Sequence, residues 1–143
     1  MNYKNKGVAA ELAVAHQLAH RGLGVAWPVG DNEPYDLIVT GLSGSLYRTQ
    51  VKSAGKTKHG TYKIPFTYGR INATKYDASH IEVLIARLPY DEDYEEFHHA
   101  GYYVMPIGVL TTGKGIFYPP GKGRYPQWVS KFEKWREAWE VFE

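Results

Sequence analysis

Hydrophobic positions recur every three or four residues near the start of the chain, which is typical of a helix with one buried face. Over about residues 5–20 the apolar stripe consists of Val8, Leu12, Ala15 and Ala19. Gly22 and Gly24 then end the helix, because glycine readily takes the backbone conformation of a helix end. The pattern therefore predicts an amphipathic helix packed on a core.

Apolar stretches in the middle of the chain favour β-strands. They cover residues 36–40, 46–52, 81–88 and 101–107. A Gly-Leu-Ser-Gly turn joins the first two as a hairpin, while residues 53–75 are polar, basic and aromatic and predict a further hairpin or loop. With the helix before them, these strands indicate one α/β domain over residues 1–143.

Residues 125–143 predict a C-terminal helix with an aromatic face. That face consists of Trp128, Phe132, Trp135, Trp139 and Phe142. Two interpretations stay open: the face packs into the core, which we favour, or it forms a contact between subunits.

The composition excludes several classes of protein and site. The chain has no cysteine, so it forms neither a disulfide nor a thiolate zinc site. No apolar run approaches the roughly 20 residues of a membrane-spanning helix, and we expect a cytoplasmic protein with no membrane partner. The net charge of +2 is too small to indicate a nucleic-acid partner by itself.

The distribution of charge is more informative than its sum. Residues 37–76 contain no acidic residue but seven basic ones, which are Arg48, Lys52, Lys56, Lys58, Lys63, Arg70 and Lys75. Such segregation favours a face that binds a polyanion, although a solvated loop would show the same asymmetry.

Four polar residues do not fit an ordinary core. Glu11 lies at the edge of the helix stripe, and Asp36 heads an aliphatic strand. Alternate side chains share one face of a strand, so Gln50 and Lys52 project together. Each feature has an ordinary alternative: a carboxylate on a surface helix, an aspartate that caps a turn, or a strand edge that faces solvent.

Together these residues suit a site that binds a divalent metal ion and hydrolyses a phosphodiester bond. A hard cation takes oxygen ligands, and the candidates are Asp36, the Val51 carbonyl, the Gln50 side chain and Glu11. The metal would stabilise charge on a phosphate and acidify a bound water, which Lys52 would orient. The predicted catalytic residues are therefore Glu11, Asp36, Gln50 and Lys52.

The order of these residues resembles the PD-(D/E)XK nuclease superfamily. Pro34 and Asp36 match the "PD" element with one residue between them, and residues 50–52, Gln-Val-Lys, match (D/E)XK. Glu11 matches the first-helix glutamate of resolvase-like members. Over about residues 1–55 the sequence looks like the branch that includes a cyanobacterial group I intron homing endonuclease. Gln50 departs from the usual carboxylate, which should weaken metal binding and argues against a tightly held second metal.

This resemblance implies a PD-(D/E)XK core with a central mixed β-sheet flanked by helices. It also implies an endonuclease that cuts double-stranded DNA with Mg²⁺, or with Mn²⁺ in its place. Cutting both DNA strands needs two active sites, so we expect a homo-oligomer that is at least a dimer, and the resemblance implies a tetramer. A site-specific homing-type enzyme is the leading hypothesis. The alternatives are a Holliday-junction resolvase or repair nuclease, and a non-catalytic DNA-binding module on the same scaffold.

If the partner is DNA, we expect it to contact the segment that follows the predicted strand 46–52, which carries Gln50 and Lys52. Its basic side chains would contact phosphates, and Arg70 or Asn72 would contact base edges. The candidate DNA-binding residues are Lys56, Lys58, His59, Tyr62, Lys63, Tyr68, Arg70, Asn72 and Lys75.

Overall fold

The structure is a computed structural model that describes residues 2–69, 71–88, 101–117 and 131–143. The helix α1 spans Tyr3–His20, and the Asn2 side chain caps it by accepting a hydrogen bond from the N–H of Asn5 at 2.9 Å. The strands are β1 Gly24–Ala26, β2 Leu37–Thr40, β3 Leu46–Ser53, β4 Gly55–Lys56, β5 Tyr62–Pro65, β6 Thr67–Tyr68, β7 Thr74–Lys75, β8 Val83–Arg87, β9 Tyr102–Pro106 and β10 Lys114–Phe117. No helix within these ranges is long and apolar enough to cross a membrane.

The central sheet has five strands in the order β1-β2-β3-β8-β9. Strands β3 and β8 run parallel, whereas each of the other neighbouring pairs is antiparallel. The predicted mixed sheet is therefore confirmed, and the four stretches predicted as strands lie in it. A parallel pair needs a crossover connection, and the chain between Ser53 and Val83 provides it through β4 to β7.

Different elements cover the two faces of this sheet. The core on the α1 side includes Ala10, Val14, Leu18, Leu37, Val39 and Ile85. On the other side the sheet packs against a three-stranded sheet of order β10-β5-β4, and that core includes Tyr62, Ile64, Phe66, Leu84, Tyr103 and Phe117. Because side chains alternate along a strand, Val51 belongs to the α1 side while Gln50 and Lys52 project towards the other.

The predicted helix is present, but its predicted apolar stripe was wrong at three of four positions, since Ala15 alone of the four is buried. Val8 and Leu12 are 54% and 58% exposed, and Ala19 is exposed as well. The buried face consists of Ala10, Val14, Ala15 and Leu18. The two rows are equally apolar, since each consists of one valine, one leucine and two alanines with Ala15 in common, so periodicity alone does not decide which row meets the sheet. Glu11 consequently lies beside the buried face and is half-buried.

The predicted C-terminal helix was also wrong over the described residues 131–143. The chain forms two short 3₁₀ turns there, Glu133–Trp135 and Trp139–Phe142. Between them Arg136 forms a β-bridge with Tyr103, and Glu137 has a φ of 51°, which no α-helix allows. Pairing with β9 thus overrides the helical pattern, and the part of the prediction at 125–130 lies outside the described residues. The favoured core packing is confirmed for Phe132, Trp139 and Phe142, which are buried, whereas Trp128 is not described.

Candidate active site

The β2–β3 hairpin brings Asp36 into contact with Gln50. The N–H of Asp36 donates to the Thr49 carbonyl at 3.0 Å, and Leu37 pairs with Thr49. Asp36 therefore lies opposite Gln50, whose Nε2 donates to Asp36 Oδ2 at 2.6 Å. Asp36 and Gln50, which the sequence predicted as separate candidate residues, are therefore direct neighbours.

Val51 joins this pair through its backbone. Its N–H donates to the same Oδ2 of Asp36 at 2.9 Å, and its carbonyl accepts from Nε2 of Gln50 at 3.3 Å. The nitrogen of the Gln50 amide thus faces two oxygen acceptors. The sequence led us to expect the amide oxygen at this place, and a half-turn of the amide exchanges the two atoms.

Lys52 lies on the same face of β3 as Gln50. Its ammonium donates to the Thr67 carbonyl at 3.3 Å and lies over the ring of Tyr76, 5.5 Å from the ring centroid. Burial lowers the pKa of Lys52, and the negative charge of Asp36 opposes that shift. An ammonium held in a half-buried position is suited to stabilise charge on a phosphate, because less water competes for it.

Two carboxylates lie within electrostatic range of each other at this site. Burial raises the pKa of Asp36, while the Val51 N–H and the Lys52 charge act in the opposite direction. Burial also raises the pKa of Glu11, and the charges of Asp36 and Asp31 raise it further. Because burial and mutual repulsion disfavour both negative charges, a cation bound by these groups would stabilise their ionised forms.

The residues present fit a hard divalent cation. Asp36 offers a carboxylate and Val51 a carbonyl, and Gln50 would offer its amide oxygen after a half-turn of the amide, with Glu11 within electrostatic reach. Within the described ranges, no three His, Cys, Asp or Glu side chains form a metal-binding group. The candidate site is therefore an oxygen site that includes amide and backbone groups, and such ligands suit Mg²⁺ and Mn²⁺.

Sequence reasoning missed three neighbours of the site, namely Asp31, Thr67 and Tyr76. Asp31 lies in the turn before Asp36, and its charge contributes to the raised pKa of Glu11. Because aspartate is common in turns, the sequence alone gave no reason to connect Asp31 with Glu11. Thr67 and Tyr76 reach Lys52 only because β6 and β7 pair beside it. No local pattern in the sequence indicates that contact.

The predicted DNA-binding residues fall into different environments. The exposed ones are Lys56, Lys58, His59, Lys63, Asn72 and Lys75. Tyr62 is only 3% exposed, because alternate residues of β5 face the core, so its ring is a packing group and not a surface contact. Tyr68 is half-buried, and its hydroxyl is hydrogen-bonded to Nε2 of His80 at 3.0 Å. Arg70 lies outside the described residues.

Known proteins share both the sequence pattern and the fold. Residues 1–112, more than half of the chain, match the family model described as PD-(D/E)XK endonuclease. The chain belongs to the PD-(D/E)XK endonuclease family. Among solved structures, the bacterial homing endonuclease I-Ssp6803I is similar, with 27% sequence identity and a TM-score of 0.77 over 99% of this chain and 93% of that chain. No curated protein matches the chain.

Membership of the PD-(D/E)XK endonuclease family confirms the resemblance inferred from the sequence. It makes the chain a nuclease with the fold of this family, and such nucleases generally use divalent metal ions. The oxygen atoms of Asp36 and Val51, which lie together around the Gln50 amide, agree with that requirement. The likeness extends beyond the (D/E)XK residues, because the similar structure covers nearly the whole chain.

The raised pKa of Asp36 gives this PD-(D/E)XK nuclease a stability that depends on pH when no metal is present. Above the ordinary aspartate pKa and up to the raised one, the folded chain binds more protons than the unfolded chain, so stability falls as the pH rises. Asp36→Asn keeps an oxygen for the Val51 N–H and carries no charge. With EDTA at pH 7, we expect the variant to melt roughly 2–8 °C above the wild type, the shift that about 1 kcal/mol produces.

Thermal denaturation across a pH series measures this effect. The difference between Asp36→Asn and wild type should disappear where Asp36 is protonated in both states, below the ordinary aspartate pKa. Glu140→Gln is the matched control, since it removes a carboxylate from the C-terminal segment, and it should leave the pH profile unchanged. A variant that melts below the wild type at pH 7 without metal would show that Asp36 stabilises the fold.

Proposed function

We propose that this chain is a site-specific, Mg²⁺-dependent DNA endonuclease of the homing type that makes double-strand breaks. The observation that carries the proposal is the cluster of Asp36, Gln50 and Val51 next to the ammonium of Lys52. The likeness to a bacterial homing endonuclease over nearly its whole length supports the homing type. The metal is proposed from the oxygen-rich donor set, with Mn²⁺ able to replace Mg²⁺.

In the proposed reaction, Asp36 and the Val51 carbonyl would hold the metal, with Gln50 and Glu11 as further ligands. A bound ion would supply Lewis-acid chemistry, polarising a phosphate oxygen and acidifying a water molecule. Lys52 donates hydrogen bonds to the attacking water and the phosphate, which aligns them and offsets the developing negative charge. The Val51 N–H keeps the Asp36 carboxylate oriented, since it donates to Oδ2 at 2.9 Å.

Double-stranded DNA is the proposed substrate, and exposed basic residues support that choice. Lys56, Lys58 and Lys63 lie on the β4–β5 hairpin, which follows the strand that carries Lys52. Lysines on a hairpin that directly follows the Lys52 strand would contact the phosphates of the DNA backbone and fix the register of the duplex. A double-strand break needs two active sites, so we propose that the chain acts as a dimer or a tetramer.

Cleavage of mixed DNA substrates tests this function directly. The chain would be incubated with Mg²⁺ and genomic or plasmid DNA, and the ends would be mapped by sequencing, with four-way junctions and unrelated linear duplexes in parallel. We expect ends at one or a few discrete sites on duplex DNA, and none with EDTA. Junction cutting without sequence preference would favour a resolvase. Binding without cleavage in Mg²⁺, Mn²⁺ and Co²⁺ would favour a non-catalytic module.

A further inference from the structure

The ammonium of Lys52 is held from two sides by a separate part of the chain. The Thr67 carbonyl on β6 accepts its hydrogen bond at 3.3 Å, and the Tyr76 ring lies 5.5 Å from it, just after β7. A lysine side chain is long and flexible, so its charged end takes one position only where the surroundings impose it. Here a carbonyl and an aromatic face impose it together, since both attract a cation.

Tyr76 is itself fixed in place. It is 4% exposed, and its N–H donates to the Phe66 carbonyl at 3.2 Å, which extends the β6–β7 pairing by one residue. Its ring packs on the ring of Tyr68, with 5.2 Å between centroids. The Tyr68 hydroxyl is in turn bound to His80, which also lies against both tyrosine rings. A ring packed in this way has little freedom to move away from the ammonium.

The turn after Tyr76 is tied back to the strand that carries Lys52. Arg48 of β3 donates to the carbonyl of Ser79 at 2.7 Å and to that of Ala78 at 3.0 Å, and it also forms an ion pair with Glu82. Arg48 lies on the same face of β3 as Lys52. These contacts form a closed circuit. Arg48 of β3 binds the turn, the turn directly follows Tyr76, and the Tyr76 ring faces the ammonium of Lys52 on β3.

We propose that Tyr76 is a positioning residue for Lys52, and that its ring, together with the Thr67 carbonyl, aims the ammonium at the phosphate. The inference rests on the proposed function in giving Lys52 its role in cleavage. It goes beyond that function because it assigns a task to an aromatic residue that is not among the catalytic, metal-binding or DNA-binding residues predicted here. The ring face, and not the hydroxyl, carries the task.

Two substitutions separate the ring from the hydroxyl. Tyr76→Phe keeps the aromatic face, whereas Tyr76→Leu keeps an apolar side chain without an aromatic face. We expect Tyr76→Phe to cleave within about two-fold of wild type and Tyr76→Leu to lose roughly 10- to 100-fold in single-turnover rate, the scale of a misplaced reacting group. The KM for DNA should change little in both variants. Tyr47→Leu is the matched control, since Tyr47 packs on Phe142 on the other side of the sheet, and it should leave the rate unchanged.

A double-mutant cycle shows whether the effect passes through the lysine. In a Lys52→Met background, Tyr76→Leu should cause no further loss, because the group that Tyr76 positions is gone. Additive losses would overturn the proposal, and so would a full cleavage rate in a folded Tyr76→Leu variant. An equal loss in Tyr76→Phe and Tyr76→Leu would also overturn it, since the hydroxyl would then be responsible.

A spectroscopic measurement tests the same geometry without any cleavage. In a chain with ¹³C-labelled lysine, the CεH₂ protons of Lys52 should be shifted upfield by the Tyr76 ring current. The upfield shift should persist in Tyr76→Phe and vanish in Tyr76→Leu. This result stands even if no DNA substrate is cut, so failure of the proposed function and failure of this inference are distinguishable. An unshifted signal in the wild type would refute the contact.

Discussion

Asp36→Asn should reduce DNA cleavage by at least about 1,000-fold while the chain stays folded. A catalytic metal supplies several kcal/mol of transition-state stabilisation, and each 1.36 kcal/mol is a factor of ten in rate. Asp36 is the carboxylate to which both Gln50 and Val51 donate, so its charge lies at the centre of the candidate site. Asparagine keeps the size and one oxygen but removes the charge that holds the ion.

Binding measurements show whether this loss comes from chemistry or from substrate binding. Without metal, Asp36→Asn should bind DNA at least as tightly as the wild type, since one negative charge near the phosphates is gone. Mg²⁺ should raise the melting temperature of the wild type and have little effect on the variant. Cleavage at the wild-type rate would exclude Asp36 as the principal metal ligand, whereas a parallel loss of DNA binding would indicate a damaged surface.

Lys52→Met should lower the single-turnover cleavage rate by roughly 10²- to 10³-fold, the cost of removing one donor that stabilises transition-state charge. Methionine retains the apolar stem that packs in this half-buried position, so the loss reports on the ammonium. The KM for DNA should rise only slightly, because the lysines of the β4–β5 hairpin remain available to contact DNA. The pH–rate profile should lose the decline at high pH that deprotonation of a lysine with a lowered pKa produces.

The control for this charge change is Lys134→Met. The Lys134 ammonium also lies over an aromatic ring, that of Trp135 at 4.7 Å, but on the C-terminal segment. It loses the same charge and the same kind of aromatic contact as Lys52→Met, and its cleavage rate should match the wild type. If both variants lose activity equally, the effect comes from net charge and Lys52 has no special role.

Local chemistry explains why the centre of the candidate site could be predicted from the sequence. Asp36 and Gln50 lie on one hairpin, and the side-chain alternation of a strand is enough to place Gln50 and Lys52 together. Four of the five strands of the mixed sheet were likewise visible in short apolar stretches. These features depend on residues close in the chain, where periodicity and turn residues decide the outcome.

Long-range pairing explains what the sequence could not show. The aromatic pattern at 131–143 is a sound helical pattern, but bridging to Tyr103 and burial of Trp139 and Phe142 outweigh its helix propensity. The buried face of α1 is decided by the sheet that it meets, because the predicted row and the buried row are equally apolar. Tyr76 lies beside Lys52 because β6 and β7 fold back on β3, and nothing local to either residue indicates that approach.

The parallel pairing of β3 with β8 also sets the order in which the candidate site is assembled. The β2–β3 hairpin closes a short loop, so the contacts of Asp36 with Gln50 and Val51 cost little chain entropy and can form early. Burial of Lys52 waits for β6, β7 and β8, which lie later in the chain and close a much longer loop. We therefore expect the predicted metal ligands Asp36, Gln50 and Val51 to be brought together during synthesis before Lys52 is held. A partly made chain would then carry these residues without the geometry proposed for cleavage.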